Sequence, residues 1–130
     1  MSAIATREMK LGNLLKCEYG ASHGYCREAR TVTLTPTSSI GDVLRTVGGK
    51  GVLVTQATTA NADGVLVEPT IYTLRPKTGT VDVVAAVLVR GPAIVADGAL
   101  KFSADINTDA EKVALYGVLE GLGILVRKQV

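Results

Sequence analysis

The sequence is poor in aromatic side chains, since its 130 residues include no Trp, one Phe and four Tyr. Large rings supply much of the buried area in most protein cores. Hydrophobic residues still make up 47% of the chain, so Val, Leu, Ile and Ala must fill the core, and each buries less area than a ring. A chain of this length forms one domain. We expect a thin core that gains stability when subunits associate or dock.

Long apolar runs and blocks of like charge are also missing. The longest apolar run, Val83–Val89, has seven residues, far below the roughly 20 that a membrane-spanning helix needs. The net charge is +2, from 14 basic and 12 acidic residues mixed along the chain, which does not indicate a phosphate-binding surface. The N-terminal residues lack the apolar segment of a secretory signal. The sequence therefore predicts neither a membrane nor a nucleic-acid partner.

Chemistry-bearing residues are few, and Cys17, His23 and Cys26 are the one local group. As a zinc site they offer three ligands where a structural site needs four, and Glu18 is the only near candidate for the fourth. As a nucleophile and base, Cys26 and His23 lack an orienting group. A disulfide between the two cysteines is geometrically possible, although a reducing cytosol would keep both thiols free. The simplest interpretation is unpaired side chains in a glycine-rich loop.

No other pattern brings two carboxylates and an orienting group together. The prediction is therefore a protein that is not an enzyme, with no catalytic residue, no metal and no cofactor. A different class, a small metal-binding protein built on Cys17, His23 and Cys26, stays open as an alternative.

Alternating and short apolar runs predict a mainly β fold. Thr31–Thr35 alternates so that Val32 and Leu34 share one face, as in a half-buried strand. From Val83 onward the run to Val89 is apolar on both faces, and we expect it to be covered on both sides. Asp97-Gly98 is typical of a tight reversal between residues 93–96 and 100–102. Further strands are predicted at Ile40–Val47, Gly51–Val54, Gly64–Val67, Thr70–Leu74 and Ile124–Val126.

One helix is predicted near the C-terminus. Thr108 and Glu111 form a capping box, and Asp109 places negative charge at the positive end of the helix dipole. Gly121 and Gly123 would end the helix. The fold class is thus mainly β with one C-terminal helix, an α+β domain. Helical spacing predicts that the inward stripe consists of Ala110, Val113, Ala114, Val118 and Leu122.

Residues 1–29 differ from the remainder because Gly12, Gly20 and Gly24 interrupt any regular period. We interpret them as an extended N-terminal arm that precedes a single β-rich domain at residues 30–130.

Several short runs occur in a distinctive order over the predicted domain. They are Val32-Thr33-Leu34, Gly41-Asp42-Val43-Leu44, Gly64-Val65-Leu66-Val67, Val87-Leu88-Val89-Arg90-Gly91, Leu100, and Leu119-Glu120-Gly121-Leu122-Gly123-Ile124. In order and spacing they resemble the lambda-type head decoration protein D family of tailed bacteriophages. The likeness covers residues 30–130 and assigns no role to residues 1–29.

The resemblance implies a structural protein that acts as a cement on the outer surface of the virion capsid. Such a subunit is made in the host cytoplasm, forms a homotrimer, or a dimer at a different symmetry site, and binds the major capsid protein at local three-fold axes of the expanded head. Its N-terminal segment would order against the capsid protein, partly by adding a strand. Another virion structural protein, forming a ring or a tail part, is the nearer alternative. The arm side chains expected to fill capsid pockets are Ile4, Met9, Leu11 and Leu14.

Overall fold

The computed structural model describes residues 11–20 and 24–128. Its eight strands form a closed barrel and a separate three-stranded sheet, and one long helix lies near the C-terminus. The predicted class, mainly β with one C-terminal helix, is confirmed. Among the described residues, no helix has the length and apolar character needed to cross a membrane.

The barrel contains five strands in the order β2-β4-β3-β5-β6. Antiparallel pairs join all neighbours except β2 and β4, which are parallel. Side chains such as Val32, Leu34 and Val87 point inward and are almost completely buried, as strand alternation requires. The strand bounds are β2 (Arg27–Leu34), β3 (Val43–Val47), β4 (Lys50–Leu53), β5 (Ala62–Leu66) and β6 (Val81–Leu88).

The second sheet has the order β1-β7-β8, with β7 in the middle. The strand β1 runs antiparallel to β7, and β8 runs parallel to it. The long helix α3 packs on β8, and buried residues from both sheets belong to one hydrophobic cluster. The bounds are β1 (Leu15–Glu18), β7 (Ala93–Ala96), β8 (Ile124–Arg127) and α3 (Asp109–Gly121); α1 (Leu11–Leu14) and α2 (Ile71–Leu74) are single turns, and 3₁₀ turns cover Gln56–Asn61 and Asp97–Ala99.

The predicted arm boundary at residue 29 is wrong for the residues that the structure describes. Strand β1 pairs with β7, and Leu14 and Cys26 are completely buried in the core. This segment covers one edge of β7 and contributes side chains to the core. Leu11 is half-buried and packs against the core. Leu14 therefore lies inside the domain in this conformation, whereas the predicted capsid contacts Ile4 and Met9 fall outside the described residues.

Helix α3 begins as predicted but buries a face rotated from the predicted one. The Thr108 hydroxyl accepts a hydrogen bond from the Glu111 N–H at 3.2 Å, and the Glu111 carboxylate accepts one from the Thr108 N–H at 3.1 Å. The predicted inward stripe is partly wrong: Val118 and Leu122 pack against the core as predicted, but Val113 is 66% exposed, and Leu115 and Leu119 are fully buried. The two leucines share one helical face with Val118 and Leu122 and bury more apolar area than Val113 would. Of Gly121 and Gly123, which were predicted to end the helix, only Gly123 has a positive φ.

Three local predictions are wrong for identifiable reasons. Residues 71–74 form α2, and just before it the Thr70 hydroxyl donates to the Glu68 carboxylate at 2.8 Å, a local bond that favours a turn over an extended strand. The first half of β6 is not covered on both sides, since Val84 is 66% exposed on the outer barrel face. Residues 97–99 form a 3₁₀ turn rather than a hairpin, because the neighbours of β7 are β1 and β8.

Candidate partner-binding surfaces

The large apolar side chains with the highest exposed fractions lie in three separate parts of the fold. Val84 on β6 and Val113 on α3 are each 66% exposed, and Tyr19 and Tyr25, in the turn region after β1, are 63% and 51% exposed. Single exposed apolar residues are ordinary, but aromatic clusters that include Arg are typical of protein interfaces. The two tyrosines form such a cluster.

We call Tyr19, Tyr25 and Arg90 the aromatic surface. The two rings meet edge to face with centroids 5.7 Å apart, and the Arg90 guanidinium carbon lies 5.5 Å from the centroid of Tyr25. Arg90 also donates to the Tyr25 carbonyl and, at 2.5 Å, to the Glu28 carboxylate. These bonds hold the guanidinium in one place, so the surface is arranged before any partner arrives.

The backbone conformation of Gly20 lets the two tyrosines lie close together. Gly20 has φ of 64°, and a side chain there would place its Cβ 3.0 Å from the Cβ of Tyr25. Nearby, Arg27 donates two hydrogen bonds, of 2.8 and 2.7 Å, to the carboxylate of Glu18. Paired bonds of this kind fix orientation as well as distance. The ion pair between Glu18 on β1 and Arg27 on β2 therefore holds together the two segments that carry the aromatic surface.

The cysteines next to this surface are not joined. Cys17 is exposed on β1, Cys26 is buried, and both thiols are free. The Cys26 thiol donates to the Tyr19 carbonyl at 3.3 Å, and burial raises the pKa of that thiol. Within residues 11–20 and 24–128, no three His, Cys, Asp or Glu side chains form a group that could hold a metal ion. His23 falls outside the described residues, so the zinc alternative stays a prediction.

The three-stranded sheet ends in two short edge strands. In the described structure β1 and β8 each pair only with β7, so each has one edge open to another strand. Lys16 and Cys17 are exposed on β1. Extended segments of partner proteins commonly add to edges of this kind through main-chain hydrogen bonds.

A surface pocket of about 390 Å³ lies beside the ends of β2 and β4, and we call it the barrel seam. Its lining combines hydroxyl groups, aliphatic side chains, one aromatic ring and one charge of each sign. The residues include Thr33, Thr35, Ser38, Asp42, Leu44, Val52, Leu53, Lys101, Phe102 and Ser103.

Asp42 lines the barrel seam and is 6% exposed. Burial raises the pKa of its carboxyl to about 6, against the opposing effects of a hydrogen bond from Ser39 and the charges of Lys101 and Arg75. The Ser39 N–H donates to this carboxylate at 3.2 Å. The backbone of Asp42 also forms an isolated β-bridge with that of Lys101, which joins the loop before β3 to the segment that follows β7.

The close approach of those two segments depends on Gly41. Its φ is 101°, and a Cβ there would lie 2.1 Å from the carbonyl oxygen of Ala99. The sequence pattern singled out residues 41–44 without giving them a role.

The aromatic surface was not predicted at all, although two tyrosines within a glycine-rich stretch were a usable signal.

Comparison of the chain with protein-family models, with curated proteins and with solved structures finds no match.

Proposed function

We propose that this protein is a capsid decoration subunit that binds the outside of an expanded tailed-phage head and stabilises it against the pressure of packaged DNA. The observation that carries the proposal is the exposure of Tyr19, Tyr25, Val84 and Val113 on separate elements of a small domain. A subunit that clamps neighbouring proteins together needs more than one contact surface. The order of short motifs from Val32 to Ile124, which resembles the decoration family, supports the same assignment.

A homotrimer at the local three-fold sites is the assembly that we propose. The outward face of α3 offers Val113 together with the exposed small residues Ala110, Ala114 and Gly117, and small side chains let another chain approach closely. Three subunits held together engage the shell at several points at once. Contacts that are individually weak then add to a much stronger attachment.

A ring or tail component is the second candidate, and the three-stranded sheet favours it. Its two open edges, β1 and β8, lie on opposite sides of β7. If β8 of one copy pairs with β1 of the next, the sheet continues head to tail, and such heterologous contacts close into rings. Electron microscopy of the purified protein, with and without empty heads, separates rings from decorated shells.

The decisive experiment is co-sedimentation of the full chain with expanded heads that lack this subunit. We expect saturable binding at about three copies per three-fold site, as cyclic symmetry requires. The comparison is a chain that lacks residues 1–10, because this truncation keeps every described element. A start at Arg30 would instead remove β1, Leu14 and Cys26 from the core. Absence of saturable binding by the full chain contradicts the proposal.

Oligomeric state is measured separately by size-exclusion chromatography with light scattering. We expect a trimer, and we expect Val113→Asp to shift it toward monomer, since the charge would have to be desolvated at the contact. Val84→Asp is the matched control, because Val84 is equally exposed on the barrel. A monomer at every concentration of the unmodified protein would rule out the trimer.

A further inference from the structure

The barrel seam contains a buried carboxylate that has few partners within the protein. Asp42 is 6% exposed, and among the described residues only Ser39 donates hydrogen bonds to it, with the N–H at 3.2 Å from Oδ2. None of the ion pairs formed by these residues includes Asp42. A carboxylate has about four acceptor positions, and buried polar groups are normally hydrogen-bonded. Asp42 can therefore accept further bonds from a molecule in the pocket.

The second oxygen of this carboxylate is directed to the pocket. In the described part of the chain, the Nε atom of Arg45 is the one buried side-chain nitrogen or oxygen that lacks a hydrogen-bond partner. Because no described residue bonds to Oδ1 of Asp42, that oxygen is not fully buried. Asp42 lines the barrel seam, so the pocket is where Oδ1 is accessible.

Three side chains add hydrogen-bond donors to the same pocket. The Ser38 hydroxyl oxygen accepts from the Thr35 N–H at 2.8 Å, and no described group accepts its proton. The Ser103 hydroxyl also lines the pocket and has no bond to any described residue. Lys101, at the exposed rim, donates to the Thr37 carbonyl at 3.3 Å and keeps further ammonium protons. The pocket thus presents acceptors and donors together.

The charges around Asp42 favour a neutral ligand. Positive charges on Lys101 and Arg75 oppose the rise in the pKa of Asp42, so the carboxylate is already partly compensated and attracts a second cation less. An anion would lie close to the buried carboxylate and be repelled. A neutral hydroxyl group avoids both costs, because it can donate to Asp42 and accept from Ser38 or Lys101.

The rest of the lining is apolar and only partly covered. Leu53 is 38% exposed, whereas Leu44 is 3% exposed, and Phe102 packs partly against the core beside them. Ligand sites typically combine such apolar and aromatic walls with a few convergent polar groups. The volume of about 390 Å³ lies near the lower end of the roughly 300–1,000 Å³ that such sites enclose. The size and lining match a small ring with a polar edge and an apolar face.

From this arrangement we infer that the barrel seam binds a neutral saccharide, with ring hydroxyls bonded to Asp42 and Ser103 and the apolar face of the ring against Leu53 and Phe102. The inference goes beyond the proposed function and is independent of it, because every binding group belongs to one chain. If the protein decorates a shell, many copies of this pocket would bind a saccharide surface multivalently.

The test is a nuclear magnetic resonance titration of the isotope-labelled full chain with the methyl glycosides of glucose, galactose and mannose. We expect at least one glycoside to bind saturably, with a Kd in the millimolar range, and to shift the amide signals of Leu53, Phe102 and Ser103. The amide of Val84, on the outer barrel face, should not shift. Butylammonium and butyrate are the charged probes, and we expect both to bind more weakly than that glycoside.

Two carboxyl variants test the role of Asp42. Asp42→Asn should weaken binding of the glycoside at least about tenfold, because hydrogen bonds to a charged acceptor are the stronger ones. Asp63→Asn is the matched control, since Asp63 lies on β5 outside the pocket, and it should bind within about twofold of the unmodified protein. Ser103→Ala should weaken binding about threefold, as loss of a neutral hydrogen bond does.

The inference is overturned if no glycoside binds saturably, if a charged probe binds more tightly, or if the two carboxyl variants bind equally well. Should Asp42→Asn fold poorly, Ser103→Ala still decides, because its hydroxyl supports no described element. Unchanged affinity in Ser103→Ala together with signal shifts outside the pocket also overturns the inference. Failure of the full chain to bind expanded heads contradicts the proposed function instead and leaves the saccharide site standing.

Discussion

Strand β2 pairs unequally with its two neighbours in the barrel. Toward β6, every residue from Arg27 to Leu34 has a partner in register. Toward β4, only Val32 has one, although the two strands remain neighbours in the closed barrel. Leu34 on β2 is fully buried, whereas Leu53 on β4 is 38% exposed. Truncation of Leu34 should therefore cost more stability than truncation of Leu53.

The largest expected effect is truncation of the buried leucine on β2. Leu34→Ala should lower the free energy of unfolding by about 2–5 kcal/mol, through lost burial and the cavity that remains. Leu53→Ala on β4 should cost about 0.5 kcal/mol, because its side chain already contacts water. Urea denaturation followed by circular dichroism measures both values. Similar losses in the two variants would show that the burial of these side chains does not decide their contribution to stability.

The next effect concerns the pH dependence of stability that Asp42, in the barrel seam, confers. The folded state raises the pKa of Asp42 from 3.8 to about 6, so it binds the proton more tightly than the unfolded chain does. Asp42 thus favours folding most at low pH, and this contribution is lost as pH rises from about 4 to 6, by at most roughly 3 kcal/mol. Asp42→Asn, which keeps an acceptor for the Ser39 N–H, should gain stability relative to the unmodified protein over that range.

The measurement is urea denaturation of both proteins at several pH values between 4 and 7. The free energy of unfolding of one protein is subtracted from that of the other at each pH. The subtraction cancels the opposite pH dependence of Glu28, Glu68, Asp82 and Glu111, whose pKa values are lowered by hydrogen bonds. A difference that does not change with pH would mean that Asp42 titrates normally in the folded protein.

The smallest effect comes from a side-chain bridge outside the barrel. The Lys50 ammonium on β4 reaches the Asp82 carboxylate on β6 at 2.6 Å, and the Thr33 hydroxyl of β2 donates to the same carboxylate at 2.7 Å. This bridge crosses β2 near the seam but is solvent-exposed, so it is screened by salt. Lys50→Ala should lower the melting temperature slightly at low salt.

The loss should disappear at about 1 M salt, where the screening length is roughly 3 Å. Lys77→Ala, at another exposed lysine in the loop before β6, serves as the control and should have no salt-dependent effect. A salt-independent loss in Lys50→Ala would point to packing of its aliphatic chain rather than to the ion pair.

The sequence by itself determined the local features whose causes lie within a few residues. The Thr108 capping box fixed where α3 begins, and alternation fixed which face of β2 carries Val32 and Leu34. The fold class followed from these local signals, because periods of about 3.6 and 2 are properties of the chain.

Tertiary structure alone decided which face of α3 is buried, how β1 joins the domain, and that β2 pairs over its whole length with β6 but in register at one residue with β4. Leu115 and Leu119 are buried and Val113 is exposed, because leucine buries more apolar area than valine. Strand β1 joins the domain by pairing with β7, and Leu14, just before it, is buried in the core. Such choices depend on contacts between residues far apart in the chain, such as Leu15 with Val95, and no local period encodes them.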